Sequence, residues 1–129
     1  MADLSAQLQQ QVQTALENHQ PLSIRGGNSK AFYGHAVSGA PLDVADHAGI
    51  VSYEPTELVL TARAGTPLED IEQTLAEQGQ MLAFEPPHFG EGATLGGTIA
   101  CNFSGPRRAT AGAARDFVLG CKLINGRGE

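Results

Sequence analysis

The segment Gly90–Gly105 constrains the fold of this chain more than any other. Five of its sixteen residues are glycine, and the apolar residues between them recur at helical spacing after Thr94, a good N-cap residue. Gly96 and Gly97 then fall in the first helical turn, where each costs about 1 kcal/mol relative to alanine. We therefore expect this turn to meet either a closely packed backbone or an anion such as pyrophosphate at the helix N-terminus.

A second glycine cluster follows a predicted strand at Leu22–Ile24. Its sequence over residues 25–30 is RGGNSK, with a cation at each end and N–H, amide and hydroxyl groups between them. Loops of this composition can form a nest of N–H groups around an anion. Neither the Walker A pattern nor the G-x-G-x-x-G dinucleotide pattern is present. For this loop alone, phosphate binding and an ordinary tight turn between strands both remain open.

Three segments in this order resemble one family of flavoproteins. They are IRGGNS at 24–29, GATLGGTIACNFSG at 92–105 and AGAARDFVLGCKLINGRG at 111–128. They are similar to the FAD-binding domain of the p-cresol methylhydroxylase (PCMH) type, which vanillyl-alcohol oxidase shares. Within it, the GPRR and RDFVLG runs most resemble the FAD-binding subunits of bacterial glycolate oxidases. The resemblance extends from Pro21 to Glu129 and implies an α+β fold, with a small parallel β subdomain and its helices before the start of an antiparallel β subdomain.

The resemblance also implies which residues hold FAD. The first glycine loop would form one side of the pyrophosphate site and the helix start the other, with later residues lining the remainder. The implied residues are Gly26, Gly27, Asn28, Ser29, Thr94, Gly96, Gly97, Asn102, Gly105, Gly112 and Val118. Some relatives attach FAD through a histidine in the first loop. Because Asn28 and Ser29 stand there in this chain, we expect FAD to be bound non-covalently.

The remaining pattern alternates helices and strands. A first helix with an apolar face is predicted to end near His19, and strands are predicted at Ile50–Tyr53 and Leu58–Ala64. The sequence TPLE, which begins at Thr66, has the form of a capping box with proline at the first helical position of a second helix. Gly79 is expected to end this second helix. The predicted apolar positions are Leu4, Leu8, Val12, Ala15 and Leu16 in the first helix and Leu68, Ile71 and Leu75 in the second.

The C-terminal residues predict an incomplete unit. Phe117–Ile124 has the composition of a strand, and Asn125-Gly126 favours a hairpin turn. A hairpin needs a returning strand, and the sequence given stops at Glu129. We therefore expect residues 1–129 to be one FAD-binding domain truncated at its C-terminal end and inactive alone.

Composition excludes several classes of function. The net charge of −6 argues against a nucleic-acid surface, and no apolar run is long enough to span a bilayer. The N-terminus lacks the basic and apolar regions of a secretory signal. The two cysteines, Cys101 and Cys121, stand in apolar contexts that predict burial, which favours a reduced, cytoplasmic compartment.

No other set of residues predicts a catalytic or metal site. The four histidines show no shared ligand spacing, and Asp43–His47 is typical of a solvated loop, so we expect no metal. Cys101 is expected to be a small core residue. Arg107 and Arg108 could face an anion or solvent. The catalytic residues therefore stay unknown.

The resemblance implies an FAD-dependent subunit of an enzyme that oxidises 2-hydroxy acids such as glycolate. Its partners would be a larger FAD-linked subunit and an iron–sulfur subunit, with electrons passing to a membrane acceptor and the complex peripheral at the inner membrane. Two alternatives stay open: a catalytically silent subunit that only holds FAD, and another flavin oxidoreductase on this fold, such as a cell-wall precursor reductase or a sugar oxidase.

Overall fold

The computed structural model describes residues 2–129, which fold into helices and two small sheets. In chain order the elements are α1 (Ser5–Glu17), β1 (Leu22–Arg25), β2 (Ala40–Asp43), β3 (Ile50–Glu54), β4 (Val59–Ala62), α2 (Leu68–Ala76), α3 (Leu95–Cys101), α4 (Arg108–Ala111) and α5 (Ala114–Phe117). One sheet is parallel and the other antiparallel, so the predicted α+β class is confirmed. No helix within residues 2–129 has the length and apolar character needed to cross a membrane.

The parallel pair β1 and β2 delivers the first glycine loop. Leu22 lies opposite Ala40 and Arg25 opposite Asp43, so the loop begins directly where β1 ends. The strand β2 was not predicted, because it contains Pro41 and proline weakens a strand assignment. In the structure the Ala40 N–H donates to the carbonyl of Pro21, which precedes β1, at 2.9 Å, and the Val44 N–H donates to the carbonyl of Arg25 in β1 at 2.8 Å. These donors alternate along β2, so Pro41 occupies a position where no N–H is needed.

The two strands predicted in this region, β3 and β4, form an antiparallel hairpin. The pairing runs from Ile50 opposite Ala62 to Glu54 opposite Val59, with an irregularity between Ile50 and Ser52. The second strand is shorter than expected. Leu58 has φ +59° and is 76% exposed, so it belongs to the turn.

The centre of the core is the apolar stripe of α2. Leu68, Ile71 and Leu75 are 0%, 1% and 6% exposed, which confirms the predicted spacing. The chain turns away after the helix at Gly79, which has φ +66°. The Gln80 N–H then donates to the Leu75 carbonyl at 2.9 Å and closes the helix end as expected for a glycine-terminated helix.

The predicted capping box at the start of α2 is wrong. The helix begins at Leu68, Pro67 precedes it as the N-cap, and no side chain caps it. Thr66 is instead 1% exposed, and its hydroxyl accepts from the Gly49 N–H at 2.9 Å and donates to the Arg63 carbonyl at 2.6 Å. A tertiary partner has thus replaced the local one, since a buried hydroxyl must be hydrogen-bonded.

The helix α1 buries Leu8 and Ala15, whereas Leu16, expected on the same face, is 52% exposed.

Asp3 organises the start of α1, because one of its carboxylate oxygens accepts from the Ser5 hydroxyl at 2.6 Å and from the Ser5 N–H at 3.0 Å. These bonds hold the pKa of Asp3 below its usual 3.8. The Leu4 N–H donates to Nδ1 of His47 at 3.0 Å and ties α1 to the loop after β2.

The strand predicted at Phe117–Ile124 is wrong. Its first residue ends the short helix α5, and the segment that follows is paired with no strand among the described residues. Val118 is extended, with φ −80° and ψ 115°. Because a strand needs a neighbour to receive its hydrogen bonds, extended backbone alone does not make one.

The C-terminal turn differs from the predicted hairpin. A turn does form, in which the Gly128 N–H donates to the Asn125 carbonyl at 3.0 Å, but no strand returns from it within residues 2–129. The Gln9 side chain donates to the Gly128 carbonyl at 2.7 Å, so this turn docks on α1. The prediction of two buried cysteines is also wrong, because Cys121 is exposed and Cys101 is half-buried.

Candidate cofactor-binding site

The two glycine-rich segments lie directly against each other. A Cβ at Gly27 would overlap the carbonyl oxygen of Gly92, and a Cβ at Gly26 would lie 2.8 Å from Oγ1 of Thr94. Only glycine permits such an approach of two backbones. The loop after β1 and the residues before α3 therefore form one continuous surface.

The first loop presents a run of uncommitted donors. The N–H groups of residues 26–30 have no hydrogen-bond acceptor among residues 2–129, whereas the carbonyls of Asn28 and Lys30 accept from Ala31 and Tyr33 at 3.4 and 2.9 Å. Asn28 has φ +56°, a left-handed conformation that lets neighbouring N–H groups converge. Since ordered backbone donors are normally paired, this loop needs solvent or a ligand to satisfy it.

The segment before α3 adds further donors. The N–H groups of Gly92, Ala93 and Thr94 also have no acceptor within the described chain. Ala93 and Thr94 are 3% and 5% exposed, and the Ala93 carbonyl accepts from the Leu68 N–H at 2.9 Å. The segment is thus fixed to the core through its carbonyl side, which leaves its N–H side available.

The predicted N-cap of α3 is confirmed. Thr94 is the N-cap, and its Oγ1 accepts from the Gly97 N–H at 3.2 Å. A Cβ at Gly97 would lie at that same distance from this oxygen.

The backbone N–H of Gly96 is already hydrogen-bonded within the chain, so it is not available to an anion. Its N–H donates to the Ala64 carbonyl at 2.8 Å, and the Leu95 N–H donates to the Thr66 carbonyl at 2.9 Å. A Cβ at Gly96 would lie 2.8 Å from the Cβ of Ala64. Close packing against the chain after β4 is therefore why glycine stands at this position, while its role toward FAD stays a prediction.

Lys30 is the charged residue at this surface that the implied set omitted. It is half-buried, its Nζ lies 3.6 Å from where a Cβ at Gly97 would be, and it forms no ion pair among the described residues. Its ammonium also lies 6.0 Å from the ring centre of Phe103. The sequence carried a signal for it, namely the cation at the end of the first glycine loop.

A cluster of four aromatic rings adjoins the loop, and sequence reasoning missed it. We call it the aromatic cluster, and it consists of Phe32, Tyr33, Phe89 and Phe103. The sequence indicated these rings only by their position, because Phe32 and Tyr33 closely follow the first glycine loop and Phe89 directly precedes Gly90.

The later residues of the implied set have local structural partners. Asn102 ends α3 with φ +52°, and its side-chain oxygen accepts from the Arg115 N–H at 3.1 Å. A Cβ at Gly105 would lie 2.5 Å from the Glu85 carbonyl oxygen, and Gly112 has φ +104° after α4. Val118 is 37% exposed. The assignment of these four residues to the FAD site rests on the resemblance.

Some of the other charged side chains pair within the chain. Nε2 of His88 lies 3.0 Å from a Glu72 carboxylate oxygen, and Nε of Arg107 lies 3.4 Å from Glu85. No group of three or more metal-ligating side chains comes together in the part of the chain that the structure describes. The arrangement offers backbone donors, one ammonium and aromatic faces, which suit a phosphate-bearing aromatic ligand.

Comparison with known proteins places the chain in a family. Residues 2–129 match the family described as FAD binding domain. The chain therefore belongs to this FAD-binding family, which confirms the resemblance drawn from the three motifs, and the cofactor of the family is FAD.

Three curated relatives share parts of the sequence. The glycolate oxidase subunit GlcE of Escherichia coli strain K12 is 56% identical over 127 residues, which cover 98% of this chain and 36% of that protein. A D-lactate dehydrogenase of Anaerostipes hadrus is 31% identical over 88% of this chain and 24% of its own length. A D-2-hydroxyglutarate dehydrogenase of Xanthomonas citri pv. viticola is 34% identical over 61% of this chain and 16% of its own length. The chain thus spans about a third or less of the relatives that it matches.

Proposed function

We propose that this chain forms the pyrophosphate-holding part of the FAD site in a subunit of a 2-hydroxy acid oxidoreductase. The observation that carries the proposal is the run of uncommitted N–H groups at 26–30, packed against those of Gly92–Thr94. Converging backbone donors are suited to phosphate oxygens, which accept charge-assisted hydrogen bonds.

Lys30 supplies the charge at the same surface. Its ammonium has no carboxylate partner among residues 2–129 and lies beside Gly97. A pyrophosphate carries negative charge that needs such a cation, and a positive charge near the start of a helix is unfavourable unless an anion offsets it. The donor set therefore fits the phosphate groups of FAD.

The chemistry divides between cofactor and protein. FAD supplies hydride and electron transfer when bound. The residues of this chain bind and orient it: the backbone of the first loop fixes the phosphates, and Thr94 holds the start of α3 in place. Because Asn28 and Ser29 offer no histidine for attachment, the first loop holds FAD by non-covalent contacts.

The substrate class follows from the names of the relatives. Glycolate, D-lactate and D-2-hydroxyglutarate are all 2-hydroxy acids, and each stands in the name of a relative. The similarity to a glycolate oxidase subunit supports glycolate as substrate. The name of that relative supports assembly with partner subunits. By the resemblance of the three motifs, these partners are a larger FAD-linked subunit and an iron–sulfur subunit, in a cytoplasmic complex at the inner membrane.

The binding half of the proposal is tested with Lys30→Met in the full-length protein. Loss of a charged partner should weaken FAD and ADP binding alike by roughly 10- to 100-fold, since both ligands carry the pyrophosphate. The matched control is Lys122→Met, because Lys122 is exposed in the C-terminal segment. Unchanged affinity of Lys30→Met for both ligands contradicts this site.

The catalytic half is tested by anaerobic addition of each 2-hydroxy acid to the FAD-loaded subunit. Bleaching of the flavin absorbance by the subunit alone supports a catalytic role. Bleaching that requires the partner subunits favours the FAD-holding alternative. No bleaching by any of the three acids, with or without partners, favours another oxidoreductase on this fold.

A further inference from the structure

The hydrogen bond between Leu4 and His47 fixes the protonation state of the imidazole. The Leu4 N–H donates to Nδ1 of His47 at 3.0 Å. Because a backbone N–H is always a donor, Nδ1 must offer a lone pair, so the ring is the neutral tautomer with its proton on Nε2. The His47 side chain is only 15% exposed, so water does not readily replace this partner.

The imidazole stands on a fixed base, whereas the start of α1 depends on it. The His47 N–H donates to the Val44 carbonyl at 3.1 Å, and the His47 carbonyl accepts from the Gly65 N–H at 2.8 Å. A Cβ at Gly65 would overlap the Val44 carbonyl oxygen, so the loop is tightly packed. Leu4 is the N-cap of α1 and no side chain caps this helix, so the bond to His47 is its tertiary attachment at this end.

A carboxylate lies just beyond hydrogen-bonding distance of the same ring nitrogen. One Asp3 oxygen is 3.9 Å from Nδ1 of His47, whereas a hydrogen bond needs about 3.2 Å or less. That oxygen accepts from the Ser5 hydroxyl and the Ser5 N–H, and these bonds hold the pKa of Asp3 below its usual value. Asp3 therefore stays ionised in the range in which imidazoles titrate, and it is available to an imidazolium.

The charged groups around the imidazole come from three parts of the chain. Asp3, before α1, favours a positive ring, whereas Arg63, after β4, lies 3.9 Å from the other Asp3 oxygen and competes for it. In the loop of His47 itself, Asp43 accepts from the Ala45 N–H at 2.9 Å and Asp46 is exposed. Within residues 2–129, Asp3 is thus the carboxylate within ion-pairing distance of the ring.

We propose that His47 is a proton-operated switch at the start of α1. In the neutral ring Nδ1 accepts the Leu4 N–H. When a proton from solvent binds Nδ1, two donors face each other, so the bond to Leu4 is lost and the new N–H donates to the Asp3 carboxylate instead. Histidine changes its charge between about pH 5 and 8, so the exchange of partners falls in the physiological range. Closing the gap to Nδ1 draws Asp3 away from Ser5, and the first turn of α1 loses both attachments.

The experiment is hydrogen–deuterium exchange of the full-length protein at about pH 7.5 and 5.5, corrected for the chemical exchange rate at each pH. Peptides that include Leu4 should lose most of their protection at the lower pH, whereas peptides from α2 should keep theirs. In His47→Asn the amide oxygen replaces Nδ1 as an acceptor that does not titrate, so protection should persist in acid. His35→Asn is the matched control, because His35 is exposed, and it should behave as wild type.

Two results would overturn the inference. Equal protection of Leu4 at both pH values in the wild type would show that protonation does not break the bond. Loss of protection in acid that persists in His47→Asn would assign the titration to another group. If His47→Asn unfolds too readily to compare, ¹⁵N chemical shifts of the wild-type ring decide the question. They should show an unprotonated Nδ1 at pH about 7.5, and a proton on Nδ1 there contradicts the switch.

Discussion

The carbonyl oxygen of Gly92 occupies the space in which a side chain at Gly27 would begin. This contact joins the loop after β1 to the segment before α3, and the two segments contribute the free N–H groups on either side of it. A close backbone approach is thus the means by which two sequence-distant glycine clusters form one surface.

Gly27→Ala should therefore separate the two segments. Placing a methyl group on the Gly92 carbonyl forces a backbone shift, and overpacking of this kind costs about 1–3 kcal/mol or more. We expect a lower melting temperature of the full-length protein and loss of bound FAD. Gly126→Ala is the control, because nothing lies within 4 Å of a Cβ there. Equal melting temperatures for the two variants would refute the contact.

Gly97→Asp should weaken FAD binding at least a hundredfold. The Cβ of an aspartate there would lie 3.6 Å from Nζ of Lys30, so its carboxylate would pair with the ammonium in place of the ligand and would also repel the phosphates. Losing two charged hydrogen bonds at roughly 1.5–3 kcal/mol each accounts for the size of the effect. Gly97→Ala adds the Cβ without the charge, and titration should show a much smaller loss. Stoichiometric FAD in purified Gly97→Asp would rule out this arrangement.

Thr66→Val should destabilise the protein without touching the cofactor surface. The Thr66 hydroxyl joins the Gly49 N–H to the Arg63 carbonyl in a buried position, so its removal leaves both groups unsatisfied. The expected loss is about 1–3 kcal/mol in the free energy of unfolding, measured by denaturant titration. Thr66→Ser keeps the hydroxyl and should retain most of the stability. A neutral valine variant would show that this network contributes nothing.

Asp3→Asn should lower the melting temperature near neutral pH but not in acid. Hydrogen bonds from Ser5 hold the pKa of Asp3 below 3.8 in the folded chain. A depressed carboxyl pKa stabilises the fold above the unfolded value, and the benefit is lost as the pH falls through the folded value. The difference between wild type and variant should therefore vanish well below pH 3.8. A difference that persists in acid would mean that charge is not its cause, and the exposed Asp46→Asn provides the matched control.

FAD should be released when the full-length protein is precipitated with acid. The first loop contains Asn28 and Ser29 and no histidine that could form a covalent link. Yellow colour in the supernatant and a colourless pellet are the expected outcome. Colour that stays with the washed pellet would contradict non-covalent binding through this loop.

Local patterns predicted the elements that depend on local interactions. The stripe Leu68, Ile71 and Leu75 is buried as its spacing indicated, and Thr94 caps α3. At Gly96 the sequence left close packing and an anion open, and the structure shows close packing, because a Cβ there would lie 2.8 Å from the Cβ of Ala64.

Features set by distant partners could not be predicted. Thr66 has the sequence of a helix cap, yet its hydroxyl bonds to Gly49, seventeen residues away. The strand around Pro41 depends on the parallel neighbour β1, and the apolar segment after Phe117 has no strand to pair with among the described residues. The aromatic cluster joins residues from three segments of the chain, so no periodicity could reveal it.

The most direct test of the central claim is a crystal structure of the full-length protein with FAD bound. We predict pyrophosphate oxygens within hydrogen-bonding distance, about 2.7–3.2 Å, of backbone nitrogens between Gly26 and Lys30. The Lys30 ammonium should contact the same phosphates. A pyrophosphate bound elsewhere, with the N–H groups of this loop facing solvent, would contradict the account.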